Sequence, residues 1–352
     1  MASEKNITMR QFNGTDYDTL YPKTRIEQVD GLSDNYYTKD QTLADGVKSL
    51  YELDSTATPN DIFAKLALPA NYYGFKILVL SPIGGPVSDC VLPNVFVDMR
   101  GNTGVKTGAD GTVYCGASTQ TVTFNLGGNY FGITNKEYTI TADTSVAFTP
   151  VTINLVNNNS LTSMTLITQS ISYSLLDNID TADFCAVGGG GGGGSEVAGG
   201  GGGGYAQNLL NYSLSGTSIR FTIGGGGGPS SDSYNYDAGS GGRTTIAIDN
   251  SEILGANGGG GARKKSYAGG TGNGNGGYNS TNATNGTVRV FNDSSLPLPG
   301  GGGAGSSSSA GQGFGGSKNS AGGVPGGGAS QGNNTKYSGG AGGVYVRVRY
   351  KS

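Results

Sequence analysis

The chain has 352 residues, 67 of them glycine, with no histidine, no tryptophan and a formal net charge of −3. Charged residues are 13% of the total, which excludes both a basic surface for nucleic acid and the charge density of ordinary disordered chains. Without histidine, Ser-His-Asp and Cys-His catalysis have no base and a zinc site lacks a usual ligand; what remains for an enzyme is a carboxylate pair, and the expectation is a non-enzyme with no cofactor or metal.

Residues 1–70 carry helical signals and are expected to form a stalk segment. They hold no apolar run of signal-peptide length, and no segment of the chain reaches 18 continuous apolar residues, so synthesis in the cytoplasm is expected. Gln11 to Val29 reads as extended and turn-rich. Thr38 and Gln41 have capping-box spacing, and Leu43, Val47 and Leu50 share one helical face. Thr58 and Pro59 then open a second helix carrying Ile62, Phe63 and Leu66. Helices this short need a partner for their apolar stripes, either copies of themselves or another protein, in a self-associating stalk, or the β domain that follows.

Residues 71–185 read as a small antiparallel β-sandwich of about seven strands. Its β-branched and aromatic runs ("YYGFKILVL", "NVFVDMRG", "GTVYCGAS", "QTVTFNLGG", "KEYTITAD", "VTINLVNN", "MTLITQSISYSL") are separated by Gly, Asn and Pro turns. Val122 and Phe124 alternate with Thr121 and Thr123, the period of a half-buried sheet. Cys90, Cys115 and Cys185 lack metal-ligand spacing and read as buried thiols; a Cys90 to Cys115 bridge requires that both lie on facing strands.

Residues 186–352 form the glycine-rich part: 14 glycines precede residue 188 and 53 follow from there on. Such runs have two physical states, a random coil or polyproline II rods, three residues per turn, that pack closely because they lack Cβ and bond one another laterally. Strand patterns between the runs favour the second. Ile219, Phe221 and Ile223 alternate before five glycines, Ile246 and Ile248 follow another run, and Val288 and Val290 read as a further strand. Val344, Val346, Val348 and Tyr350 alternate against Tyr345, Arg347 and Arg349, so the chain closes back on itself. The expected fold is mainly β and irregular, ending in a polyglycine II domain.

A scaffold of glycine rods has no side chains with which to discriminate, so recognition falls to its connections. The candidate binding residues are Tyr234, Asn235, Tyr236 and Asp237; Arg263, Lys264 and Tyr267; Tyr278 and Asn279; Phe314; and Tyr337. Rigid aromatics among adaptable hydrogen-bonding residues suit a glycan or an exposed protein loop. The competing reading makes these aromatics caps or wedges of the rods, and the Arg263 to Lys265 cluster a solvated loop.

Several phrases resemble known proteins. "DYDTLYPKT" ahead of "YTKDQTL" resembles the opening of phage tail-fibre and tail-tip proteins. "NTGVKTGADGTVYCG" ahead of "NLGGNYFGIT" resembles prealbumin-like modules that act as spacers in fibre proteins. Glycine runs that alternate with short polar or aromatic segments and finish in a valine-rich strand after "GGAGG" resemble the glycine-rich receptor-binding domains of phage tail-fibre adhesins. The resemblance implies a homotrimer in the virion, joined at its N-terminus to a tail or baseplate protein and binding a host-surface glycan or outer surface protein. The chain departs from tip adhesins in carrying its own stalk and β domain, which points to a one-piece fibre. Two alternatives are a glycine-rich structural or matrix protein with an elastic C-terminal half, and a fibre-borne depolymerase using Asp232 and Asp237 as acid and base.

Overall fold

The computed structural model describes residues 73–83, 90–93, 95–99, 102–146, 148–194, 201–230, 238–262, 288–300, 314–317, 319–330 and 337–351, and 9–12 and 17–20 as backbone alone. These last two stretches are an antiparallel pair, β1 (Met9–Phe12) and β2 (Tyr17–Leu20). The two expected N-terminal helices lie outside the described residues.

A first sandwich follows from the alternating strands β3 (Tyr73–Leu80), β4 (Phe96–Met99), β5 (Asn102–Lys106), β6 (Thr112–Ala117), β7 (Thr121–Leu126), β8 (Ile133–Thr134), β9 (Tyr138–Thr141), β10 (Phe148–Asn154) and β11 (Val156–Asn157). Its sheets, β10-β3-β6 and β5-β4-β7-β9, bury Phe75, Ile77, Val79, Val122, Phe124 and Ile153 between them. The Phe75 and Phe124 rings meet edge to face with centroids 5.3 Å apart. One pair departs from the expected antiparallel pattern: β10 runs parallel to β3, because the chain traverses the other sheet before returning. Cys90, Cys115 and Cys185 are buried and free, and burial pushes the Cys115 thiol up to about 12.

A second sandwich begins after a short helix, α1 (Ser160–Ser163). It comprises β12 (Thr165–Ile167), β13 (Ile171–Ser174), β14 (Ile179–Val187), β15 (Ala206–Ser213), β16 (Ser218–Thr222), β17 (Thr244–Ile248), β18 (Ser251–Ala256) and β19 (Gly343–Tyr350). The sheets β12-β19-β14-β15 and β13-β16-β17-β18 enclose Phe184, Ile219, Phe221, Ile246, Ile248, Val344, Val346 and Val348. The alternating isoleucines and valines therefore do face one core. β14 crosses position 185 without a break and pairs with the chain's last strand, Val187 opposite Gly343 and Ile179 opposite Tyr350. Strands on both sides of that position thus build one sandwich.

The two sandwiches are joined through the backbone. The Phe131 N–H donates to the Ser174 carbonyl (2.9 Å) and the Ser174 N–H to the Asn129 carbonyl (2.8 Å). The Tyr350 hydroxyl reaches the Gly132 and Asn158 carbonyls at 3.0 and 2.8 Å. Gly132 has φ +81°, and a methyl there would sit 2.7 Å from Ile179 Cδ1, so the joint needs glycine for both reasons.

The expected strand through Val288 and Val290 does not form. Residues Val290–Asn292 make a single 3₁₀ turn, with Phe291 at φ 52°, and the segment lies against β14, β15 and β19. The cause is Asn208 on β15. Its side-chain amide donates to the Arg289 carbonyl (2.8 Å) and accepts the Phe291 N–H (3.0 Å), so the local backbone is satisfied by one side chain and not by a ladder. Val290 and Phe291 are buried beside Cys185 and Tyr345.

Candidate functional site: a glycine bundle and its outer end

Seven stretches are extended rods, rod 1 (188–194), rod 2 (201–205), rod 3 (224–230), rod 4 (238–243), rod 5 (257–262), rod 6 (326–330) and rod 7 (337–342); six of them continue a strand, and rod 6 leaves the turn at 324–326. In rod 1 the Gly188 and Gly191 N–H groups go to the Tyr205 and Gly202 carbonyls of rod 2. Those of Gly189 and Gly192 go to Gly242 and Gly239 of rod 4, and those of Gly190 and Gly193 to Gly340 and Tyr337 of rod 7, all at 2.8–3.1 Å. A direction that recurs every third residue, with no bond inside the rod, is the polyproline II geometry.

The carbonyls of rod 1 are filled in turn. Those of Gly189 and Gly192 accept from Gly259 and Ala262 of rod 5, that of Gly190 from Gly227 of rod 3, and that of Gly191 from Ala329 of rod 6. Descending or ascending register shows that rods 2, 4 and 7 run antiparallel to rod 1, and rods 3, 5 and 6 parallel. The six also bond around the ring in the order 2, 5, 4, 3, 7, 6: Gly202 to Gly260, Gly241 to Gly259, Gly242 to Gly225, Gly339 to Gly227, Gly340 to Gly327 and Gly204 to Gly326, N–H to carbonyl in each case. Rod 1 is thus the axis of a hexagonal bundle, and each of its residues is buried.

The packing leaves no room for side chains. A methyl built on any residue from Gly188 to Gly193 would fall well inside 3.0 Å of a neighbouring carbonyl oxygen, on rods 5, 3 and 6 in strict rotation. Glycine in rod 1 is therefore a steric requirement and its entropic cost is offset by bonds on all sides. Weak Cα–H to carbonyl contacts from the same close approach add to these.

The outer ends of the rods lie level, away from the sheets. Gly193 donates to Tyr337, Ala262 to Gly192 and Gly201 to Ala329, so residues 194, 201, 230, 238, 262, 330 and 337 end within about one turn of each other. Among the candidate binding residues, Phe314 and Tyr337 are described: both are half-buried, and both give main-chain carbonyls to the bundle, Phe314 to Gly323 and Tyr337 to Gly193. Tyr234, Asn235, Tyr236, Asp237, Arg263, Lys264, Tyr267, Tyr278 and Asn279 lie outside the described residues, in connections that leave from Ser230 and Ala262 at this end.

Two residues outside the sequence-derived candidates sit at the same level. Ser330 is fully buried; its hydroxyl donates to the Ser320 carbonyl (2.9 Å) and accepts the Ser320 N–H (2.8 Å). Ser230 is 1% exposed and its hydroxyl oxygen has no partner among the described residues. Their signal is present in the sequence, since the runs "GGGGGPS", "GGGGA" and "GGGAS" end in a small residue at the same level.

Below the bundle, Asp183 is the main charged group of the β14-β15-β19 surface. It accepts from Arg347 Nε and Nη2 (2.9 and 2.8 Å), from Arg349 Nη2 and Nη1 (2.8 and 3.2 Å) and from the Asn211 N–H (2.8 Å). Burial raises its pKa, but the hydrogen bonds from Arg349, Asn211 and Arg347 and the Arg349 charge outweigh that and hold it below the usual value. The Arg347 guanidinium also lies 4.8 Å from the centre of the Phe291 ring. This cluster ties the last strand to β14 and to the strap over it, and it faces no pocket among the described residues.

The fold and bundle define a mainly β protein whose described glycine runs form a polyglycine II array hung from a β-sandwich. Residues 165–349 match the glycine-rich domain family, from the first residue of β12 to the penultimate residue of β19, and the chain belongs to that family. No curated protein matches the chain.

Proposed function

We propose that this protein is a tail-fibre adhesin of a phage or prophage, which attaches to a host cell surface through the connections at the outer end of its glycine bundle. The observation that carries the reading is the level outer face: the strands and rods deliver separate, side-chain-rich connections to one end of a scaffold that is itself bare. A rigid base that presents several variable loops together is how recognition surfaces are generally built. The tyrosines of 231–237 and 263–287 then supply stacking faces for a surface glycan or an exposed protein loop. The N-terminal 70 residues attach to a tail or baseplate protein as part of a homotrimer, and the first sandwich is the spacer.

The test is binding of the full chain to bacterial cells that it adsorbs to. Tyr234→Ala/Tyr236→Ala and Tyr267→Ala/Tyr278→Ala should weaken binding by about tenfold or more, the effect of losing about 1.4 kcal/mol, with melting temperature unchanged. Undiminished binding by both variants would remove the outer end as the contact surface. Deleting residues 1–70 should lower the mass in solution by more than the deleted residues account for; an unchanged oligomer would remove the stalk.

A further inference from the structure

Around rod 6 the bundle continues beyond the first ring. The Gly327 and Ser330 N–H groups donate outward to the Gly323 and Ser320 carbonyls (2.8 and 3.1 Å), and the Gly328 carbonyl accepts the Gly316 N–H at 2.8 Å. Segments 314–317 and 320–323 thus cover rod 6 from outside the ring, with 320–323 accepting from every third residue of the rod.

Rod 3 stands to rod 1 as rod 6 does. Gly227 donates to the Gly190 carbonyl as Ala329 donates to that of Gly191, and the Gly225 and Gly227 carbonyls accept from rods 4 and 7 as those of Gly327 and Ala329 accept from rods 7 and 2. In this register Gly225, Gly226 and Gly228 correspond to Gly327, Gly328 and Ser330. Yet Gly225, Gly226 and Gly228 are exposed where their counterparts are buried. A methyl on Gly225 or Gly228 meets nothing within 4 Å, whereas one on Gly327 would run into the Phe314 carbonyl. Among the described residues, the Gly225 and Gly228 N–H groups and the Gly226 carbonyl have no protein partner.

We infer that the open edge of rod 3 is an interface between copies of this chain, which takes up an extended glycine-rich rod from a second copy as rod 6 takes up 314–323. The occupant must be extended, have carbonyls repeating every third residue and lack side chains on its near face, and the chain itself supplies such rods. Rod 4, the neighbour of rod 3, has the complementary character: it gives N–H groups to rods 3 and 5, while the carbonyl of the exposed Ser240 takes no hydrogen bond among the described residues. A two-fold axis along the rods, relating chains of neighbouring trimers, sets each copy's rod 3 against the other's rod 4, makes both contacts at once and leaves both outer ends pointing the same way.

Proline at positions 225 and 228 tests this. Its φ suits a polyproline II rod, it removes N–H groups that bond nothing among the described residues, and Pro229 already occupies the same rod. Full-length wild type and Gly225→Pro/Gly228→Pro are compared by light-scattering mass over a concentration series up to about 100 µM, a range that detects micromolar association, with melting temperatures measured alongside. The expected result is an association step in wild type that the double variant loses or shows at tenfold or higher concentration, with the melting temperature retained. An oligomer made elsewhere in the chain appears in both proteins, so only their difference is read. Equal masses at every concentration would overturn the inference. Gly225→Ala/Gly228→Ala serves as the second variant if the prolines lower stability, and equal masses for it would overturn the inference in the same way. The inference rests on the bundle and not on the receptor reading, and cell binding by the variants separates the two.

Discussion

The bundle predicts that a methyl group will unfold it at one glycine and be ignored at another of the same run type. At Gly191 a Cβ would lie 2.1 Å from the Gly260 carbonyl oxygen and 2.9 Å from the Gly261 nitrogen. Ordinary carbon to oxygen contacts begin at about 3.3 Å, so rods 1 and 5 must part by about 1 Å. Their connecting bonds, Gly259 to Gly189 at 2.8 Å and Ala262 to Gly192 at 3.1 Å, would then stretch to about 4 Å, past hydrogen-bonding distance. The bond from Gly202 to the Gly260 carbonyl would be strained too. With buried main-chain groups costing about 1–3 kcal/mol each when unsatisfied, Gly191→Ala should cost about 3–6 kcal/mol.

Gly228→Ala is the control. Nothing lies within 4 Å of its Cβ, and replacing glycine at a compatible position generally stabilises by about 0.4–1 kcal/mol through the unfolded chain. At about 2–4 °C per kcal/mol for a unit of this size, the first variant should melt about 10–20 °C lower and the second at or slightly above wild type, by calorimetry of the full chain. Equal melting temperatures for the two variants, or a drop of under about 3 °C for Gly191→Ala, would refute the rotation of close contacts on which the bundle rests.

Amide exchange should protect the Gly188 to Gly193 N–H groups, each bonded to a different rod in turn, while Gly225 and Gly228 exchange rapidly at concentrations too low for copies to associate; uniform fast exchange would favour an elastic, disordered half. Asp183→Asn should destabilise by about 3 kcal/mol, at the low end for a broken buried pair because Arg347 and Arg349 remain 32% and 44% exposed. The folded carboxyl lies below its usual 3.8, so this contribution is present above pH 3.8 and fades as pH falls through the lower folded value. The gap between wild type and variant in urea melts should therefore be flat from neutral pH down to about 5 and close in stronger acid. Asn208→Ala should release the strap: it removes the bonds to Arg289 and Phe291, at about 1–3 kcal/mol, and limited proteolysis should then cut between Val288 and Gly300 where wild type resists.

The strands were legible because each has one buried face, and alternation at Val122 and Phe124 or at Val344 to Val348 records it directly. The glycine runs were legible as rods because strands stand between them. What could not be read was arrangement. A run of seven glycines at 188–194 states that the rod has neighbours on every side, but the ring order depends on sheet pairings between β14, β15, β16, β17, β18 and β19 that no local pattern encodes. The pairing of Arg347 and Arg349, on the face opposite the valines, was not legible because their partner, Asp183, lies 164 and 166 residues away. Val288 and Val290 have the composition of a strand, and a single asparagine on another strand decides otherwise. Among the candidate binding residues, Phe314 and Tyr337 blur the line between loop and rod, since both contribute main chain to the bundle while their side chains stay half-buried at its outer end.

The purity of the runs follows position in the bundle. Rod 1 is glycine throughout, whereas Asn257, Ala262, Pro229, Ser240, Ala329 and Ser330 all occur in the ring rods, which have an outer side or an end to place them. The bundle is therefore specified by where side chains are absent, and its stability depends on bonds between main-chain groups that are alike at every residue. A connection can then change sequence without altering any contact that holds the rods, provided it starts and ends at the same level. In an ordinary core, a loop residue that touches the packed interior is constrained by shape; here the rods offer mostly backbone, with the hydroxyls of Ser230 and Ser330 at the outer end as side-chain groups. On the proposed reading, stability and recognition thereby fall to different residues of one domain, and substitutions at the outer end should move binding while substitutions in rod 1 move only folding.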